Sequence, residues 1–399
     1  MAAKYRAEQV GSFLRPKEVL EAHQAQAQGT MTAQQVKDIE DKAILDILTM
    51  QKQVGVEVLS DGEFRRPGWA SGFQAAVEGY VPGQPAVSIR INVPPGDSSH
   101  VPGMGVGQGQ GQGQGQPGSN AGFGGPRVIG EKLRPKRRIA AHEAGFLKEH
   151  AGGMPFKATM PAISYVVARS YNPDITGQAY PTRLDVLKDA AGIMQGEIKA
   201  LVGEGVPYVQ LDNPHYTDYL EEALRERWQA VGVDQKKALA EDIEADNMCF
   251  RGFDRSNTVL AMHLCRGNAG RGPEAAAGWH KAGGYDWVAE QLFSQLEVDT
   301  FLLEYDDERS GGFEPLRFMP KGKTAVLGLI TTKKRDLEKA DDVLRRIEEA
   351  AKYMALEDMA LSPQCGFAST QAGNPLTPDE QKRKLELVVD VARRVWPKR

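Results

Sequence analysis

Cysteine is nearly absent from this chain: three residues in 399, at Cys249, Cys265 and Cys365. Three thiols cannot staple a chain of this length, which excludes a disulfide framework and points to a reducing compartment. No apolar run approaches the ~20 residues that a membrane-spanning helix needs. The opening Met1-Ala-Ala-Lys-Tyr-Arg6 lacks the apolar stretch of a secretory signal, so a cytoplasmic location is expected. Charge of one sign is missing too. With 49 Lys and Arg against 53 Asp and Glu, the net charge is −4, which offers nothing to nucleic acid or to a membrane surface. What the chain does have is apolar residues, 41% of the total, enough for a large buried core.

The apolar residues fall into short strand-like runs separated by helical stretches. Runs at residues 6–10, 56–60, 156–160, 208–211, 259–262, 300–303, 325–330 and 359–361 read as strands. Helical spacing lies between them. One helix opens at Thr32 with Gln35 as a capping-box partner and closes at Gly55. Others are expected at 182–202, 219–250, 287–296, 337–354 and 378–395. Eight strands with helical crossovers imply an α/β protein with a parallel sheet, and the count suits a closed (β/α)8 TIM barrel spanning 1–399. An open doubly wound sheet is the competing architecture, but no phosphate-binding glycine fingerprint follows the first run.

One tract breaks the rhythm. Residues 88–93 and 127–133 read as the arms of an extruded hairpin after the second strand. Between them, residues 94–126 contain an alternating Gly-Gln repeat with almost nothing to bury, and read as a disordered insertion. The basic run Lys132, Arg134, Lys136, Arg137 and Arg138 follows, as a solvated loop or a patch for a polyanionic substrate tail.

Strand ends carry the chemistry. In a parallel barrel the functional groups gather at the C-terminal ends of the strands. Here those ends hold Ser12, Asp61 and Glu63, Pro161, Asp212, His263 and Cys265, Glu304, Thr331, and Cys365. His263 and Cys265 are two apart, so a strand points them the same way. One imidazole, two thiolates and the Glu304 carboxylate suit Zn²⁺ in tetrahedral coordination. Zn²⁺ with two thiolates and a carboxylate is formally −1. Such a centre is a poor Lewis acid for hydrolysis and a good place to hold a substrate thiol as a thiolate. Taken singly, each cysteine is more commonly plain core; Cys249, inside a helix, is read so.

These motifs together resemble the catalytic barrel of the cobalamin-independent methionine synthase family, in its short single-barrel form. They are Val10-Gly-Ser-Phe13, Asp61-Gly-Glu-Phe64, Leu211-Asp212, His263-Leu-Cys-Arg-Gly-Asn268, the run from Phe301 to Ser310, and the run from Leu361 to Ser369. The resemblance implies a methyltransferase that binds L-homocysteine as a zinc thiolate and methylates it to methionine. It implies His263, Cys265, Glu304 and Cys365 as zinc ligands, and Ser12, Glu63 and Asp212 as the residues that grip the amino and carboxylate groups of homocysteine. The structural alternative is a helix cap or turn residue for Ser12, and for the two carboxylates a buried ion pair with Arg15 or Arg65. The family's pterin-stacking Trp has no clear counterpart near Pro161 or Asn213, although Trp69 is a candidate platform. Its proton-donating His is replaced by Thr331-Thr-Lys-Lys334, which leaves Lys333 as the substitute. The methyl donor therefore stays open between a methyltetrahydrofolate-type compound, methylcobalamin carried by a partner, and another methyl compound. Alkyl transfer to another small thiol, a metal-free enzyme like uroporphyrinogen decarboxylase, and a non-catalytic zinc protein are the other readings. Small molecules are the expected partners; oligomeric state is left open.

Overall fold

The computed structural model describes residues 3–85, 126–230, 232–267, 282–368 and 371–397. The chain opens with helices α1 (Lys17–Ala27), α2 (Ala33–Val54) and α3 (Ser71–Ala76). The hairpin β1 (Val77–Pro82) and β2 (Arg127–Pro135) and then α4 (Ala141–His150) come next. The alternating part runs β3 (Lys157–Pro161), α5 (Ile163–Ser170), α6 (Pro173–Thr176), α7 (Arg183–Gly203), β4 (Tyr208–Asp212), α8 (Glu222–Ala230), α9 (Gln235–Met248), β5 (Val259–Leu264), α10 (Asp286–Gln295), β6 (Thr300–Glu304), β7 (Thr324–Ile330), α11 (Ala340–Ala350), β8 (Met359–Pro363) and α12 (Pro378–Val395). Strands β3 to β8 form one parallel sheet in sequential order. Every residue of these six strands is buried, as expected of a parallel sheet covered on both faces.

Six of the eight expected strands form. The other two, at 6–10 and 56–60, make single parallel bridges instead: Ala7 with Leu361, Leu59 with Phe156, and beyond them Ser12 with Gly62. Side chains take over part of their backbone bonding, although Glu57 N–H still donates to Ala7 O and Leu59 N–H to Pro155 O. Gln51 accepts from the Ser60 N–H at 3.0 Å and donates to the Ser60 carbonyl at 2.8 Å. Gln9 donates to the Val58 carbonyl, and the Arg6 N–H donates to the Glu57 carboxylate. Each stretch still runs beside an edge of the sheet, since Glu8 N–H donates to Leu361 O and Lys157 N–H to Leu59 O.

Helix α2 starts as the sequence dictates. Thr32 and Gln35 form a reciprocal capping box, and Gly55 closes the helix in the left-handed region at φ 92°, where only glycine is unstrained. Helix α1 was not expected; only Val19 and Ala22 of it are buried, too few to mark a helical period. The helical stretch expected at 219–250 divides into a 3-10 turn (Tyr216–Leu220), α8 and α9, with Gly232 at φ 76° between the two helices. Helix α11 begins three residues later than its expected start at 337. Strand β2 pairs antiparallel with β1. Residues 88–93, and the low-complexity insertion 94–126 except for Pro126, lie outside the described residues.

Side chains two apart share a face of a strand. On one face of the sheet, Val10, Val58, Tyr208, Val259, Ala261, Leu302, Val326 and Ala360 pack into a small apolar cluster of their own. The large core lies on the opposite side, against the helices. Continuing the small cluster toward the C-terminal strand ends leads from Tyr208 to Asp212, from Val259 to His263, and from Leu302 to Glu304. Among the described residues, no helix is long and apolar enough to cross a membrane.

Candidate metal centre

His263 lies one residue from the end of β5 and Glu304 ends β6, while Cys265 and Cys365 sit in the turns that follow β5 and β8. One ligand atom from each of the four lies within 4.8 Å of those of the others. The Cys265 and Cys365 sulfurs are 3.5 Å apart and both cysteines are free thiols. Two sulfurs bound to one Zn²⁺ at ~2.3 Å with a tetrahedral angle would be about 3.8 Å apart, so the spacing suits a shared ion.

The imidazole is already oriented. His263 Nδ1 lies 3.3 Å from the Leu302 carbonyl, while Nε2 is buried without a hydrogen-bond partner. A ligating histidine commonly anchors its second nitrogen on a carbonyl in this way. Glu304 is similar: Oε1 accepts from the Arg266 N–H at 2.6 Å, and Oε2 accepts no hydrogen bond. Lys333 Nζ stands 3.6 Å from that oxygen and 3.2 Å from Asp306 Oδ2. Two buried orphan atoms aimed into a nest of two thiols fit a soft divalent cation.

The electrostatics agree. The Cys365 sulfur beside it, and then burial, push the Cys265 thiol well above its usual range. Burial pushes the Glu304 carboxyl up as well, against the pull of Lys333. Burial would lower His263, but the Cys265 sulfur and the carboxylates of Asp212 and Glu304 outweigh it and carry the imidazole up to about 9. All three shifts favour the protonated form. A bound metal cation reverses that preference, since a coordinating thiol is deprotonated outright.

The three residues expected to grip a substrate lie beside the cluster. Asp212 pairs in register with His263 across β4 and β5. Burial pushes its carboxyl up to about 7, the nearby Glu63 carboxylate adding to the shift and His263 opposing it. Ser12 stands against Gly366, next to Cys365: a Cβ at Gly366 would lie 2.0 Å from the Ser12 hydroxyl oxygen. That oxygen accepts from the Ala368 N–H at 3.3 Å. Glu63 is the one non-glycine with positive φ among the described residues, at 60°. Its N–H donates to Asp61 Oδ1, its Oε1 accepts from Thr159 Oγ1 at 2.9 Å, and its Oε2 is buried without a hydrogen-bond partner. Gly11 passes so close that a Cβ there would meet Glu63 Oε1 at 2.8 Å.

The ion pairs differ from the expected alternatives. Arg65 pairs with Glu40 and Asp41, and Arg15 donates to the Glu63 carbonyl rather than to its carboxylate. Arg66, which the sequence reading passed over, holds Glu143 and Thr159 and stands 3.9 Å from Glu63 Oε1. Trp69 packs on Tyr165, ring centres 4.8 Å apart. Cys249 is core, as its helix position suggested. Residue 268, the last of the His263 motif, lies outside the described residues, as does Ser369.

Comparison with known proteins places this arrangement. A family described as cobalamin-independent synthase, catalytic domain, matches residues 6–104 and 178–394. The chain belongs to this family. Membership makes it a relative of methyltransferases that form methionine. The uncharacterized protein YxjH of Bacillus subtilis is 37% identical over 99% of this chain and 95% of its own length. A methionine synthase of Pyrococcus abyssi is 21% identical over 90% of this chain and 85% of its own. Among solved structures, a Listeria monocytogenes protein provisionally named a vitamin-B12-independent methionine synthase is 26% identical, with full coverage of both chains and a TM-score of 0.71. A Shewanella B12-independent methionine synthase, solved in complex with selenomethionine, shares the fold at 17% identity, 98% coverage of both chains and a TM-score of 0.70.

Proposed function

We propose that this family member is a zinc-dependent methyltransferase that takes a small thiol, L-homocysteine first among them, and methylates its sulfur to give methionine. The observation that carries this reading is the convergence of His263, Cys265, Glu304 and Cys365, with ligand atoms within 4.8 Å and two of those side chains holding a buried orphan atom. Zinc held there would supply the positive charge that keeps a substrate sulfur deprotonated at neutral pH. The rest falls to the chain. Glu63 and Asp212 offer carboxylate oxygens for the substrate ammonium, and Ser12 its hydroxyl for the carboxylate. In the transfer, the substrate sulfur uses a lone pair to form the S–CH3 bond. The bond between methyl and donor breaks with its electron pair left on the donor, and the thiol proton leaves the site. Lys333, within reach of Glu304 and Asp306, is the candidate to hand a proton to the departing donor. We take the donor to be a methyltetrahydrofolate-type compound or methylcobalamin.

The same reading extends to the fold. Residues 6–10 and 56–60, bonded to the two sides of the sheet, would complete a single closed (β/α)8 barrel with the four ligands at one mouth. The experiment that tests the function is cobalt substitution. One Co²⁺ per chain is expected, with a thiolate-to-cobalt band that grows on titration with L-homocysteine. A protein that retains no metal, or whose spectrum ignores every thiol offered, would remove this function.

A further inference from the structure

Beneath the site lies a lysine that the proposed chemistry does not use. Lys157 opens β3, and its side chain is entirely buried. Burying an ammonium costs several kcal/mol unless every donor is met. Here all three N–H groups find acceptors: Glu8 Oε2 at 3.0 Å, the Gln9 carbonyl at 2.6 Å and Gln210 Oε1 at 3.0 Å. Glu8 alone neutralises the charge, and it is held in turn by the Tyr208 hydroxyl at 3.1 Å. Gln210 is not needed for that purpose.

What Gln210 gains from Lys157 is a direction. An ammonium only donates, so the amide oxygen must face it. The amide nitrogen is thereby turned the other way, where it donates to the Val10 carbonyl at 2.6 Å and to Asp212 Oδ1 at 2.8 Å. An amide that elsewhere could flip is fixed. One oxygen of Asp212 is consequently occupied, while Oδ2 accepts nothing from the described residues. Val10 is two residues before Ser12. A single amide thus ties the strand carrying Asp212 to the segment carrying Ser12.

We infer that Lys157 and Gln210 form a positioning relay that aims the Asp212 carboxylate and sets its distance from Ser12, so that the site selects thiols bearing an amino and a carboxylate group on one carbon. The inference rests on the reading of Asp212 as an ammonium acceptor. Lys157 and Gln210 touch no substrate; they act through Asp212.

The test uses the full-length cobalt-loaded protein and two thiols, L-homocysteine and its deamino analogue γ-mercaptobutyrate, each titrated through the thiolate-to-cobalt band. Wild type should prefer homocysteine. Gln210→Met keeps the volume and removes the amide. It should weaken homocysteine about tenfold or more while leaving γ-mercaptobutyrate within about threefold. Asp212→Asn should do the same, and Gln210→Met in the Asp212→Asn background should cost nothing further, the sign of two residues acting as a unit. A loss shared equally by both thiols, a loss that adds fully to that of Asp212→Asn, or no loss at all would overturn the relay. If wild type itself binds the two thiols alike, the ammonium role of Asp212 falls first and the relay with it. Cobalt stoichiometry near one in each variant shows that the fold is intact. Lys157→Met is the weaker choice, because it strands Glu8 as a buried unpaired charge.

Discussion

His263 Nε2 and Glu304 Oε2 are polar atoms sealed in the interior with no hydrogen-bond partner, and such atoms are rare unless something absent completes them. Cys265→Ser and Cys365→Ser should each weaken zinc binding by more than the ~10–100-fold that outer-shell changes cost, as read by competition with a chromophoric chelator. A second prediction concerns Asp61. Burial, helped by the Glu143 carboxylate, pushes its carboxyl up to about 7. The folded state then holds this proton more tightly than the unfolded chain. The stability it contributes is complete below the ordinary carboxyl range and is lost as pH rises from about 4 to about 7. Asp61→Asn cannot lose the proton. Its urea midpoint should therefore rise relative to wild type across that interval and level off above it. Parallel midpoints at every pH would refute the buried neutral acid. The ligand candidates were legible in the sequence because strand ends can be read from apolar runs and thiols are scarce. Lys157, Thr159 and Gln210 were not. They lie inside strands 157–161 and 208–212, where a polar residue looks like an outward-facing one until the sheet's buried inner face is known.

Six strands were visible because each is a short, largely apolar run buried on both faces. The stretches at 6–10 and 56–60 carry more polar residues, Arg6, Glu8, Gln9 and Glu57 among them, and Gln51, Gln9 and Glu57 bond some of their backbone groups. Side-chain competition of this kind acts over tens of residues and leaves no local periodicity. Capping is local, and the box at Thr32 was visible at once. Thr32→Ala should cost about 1 kcal/mol of stability, seen as a lower denaturant midpoint with unchanged slope, and should leave metal content alone. A change in metal content would mean that α2 is coupled to the site more tightly than its packing suggests.

At the scale of the whole molecule, three parts of the chain far apart in sequence meet at the site: residues 12 and 63, the β4 to β6 region, and Cys365. Removing metal should therefore loosen more than one loop. Chelation is expected to lower the melting temperature. Homocysteine should raise it only in the metal-loaded protein, by a stability increment of about 2.7 kcal/mol at a hundred times its dissociation constant. Equal protection of metal-free protein would break the link between thiol and ion.

The contact between Ser12 and Ala368, 356 residues apart, also sets a timetable. Synthesis at roughly 5–20 residues per second separates these two residues by about 20 to 70 s. The growing chain must carry Ser12 through that interval before Ala368 emerges to meet it. Cys365 leaves the ribosome last of the four ligand candidates, long after Cys265. During the wait Cys265 has no second sulfur beside it, and metal delivered early would find only part of its cage. The site is therefore expected to be completed late, only once Cys365 has emerged.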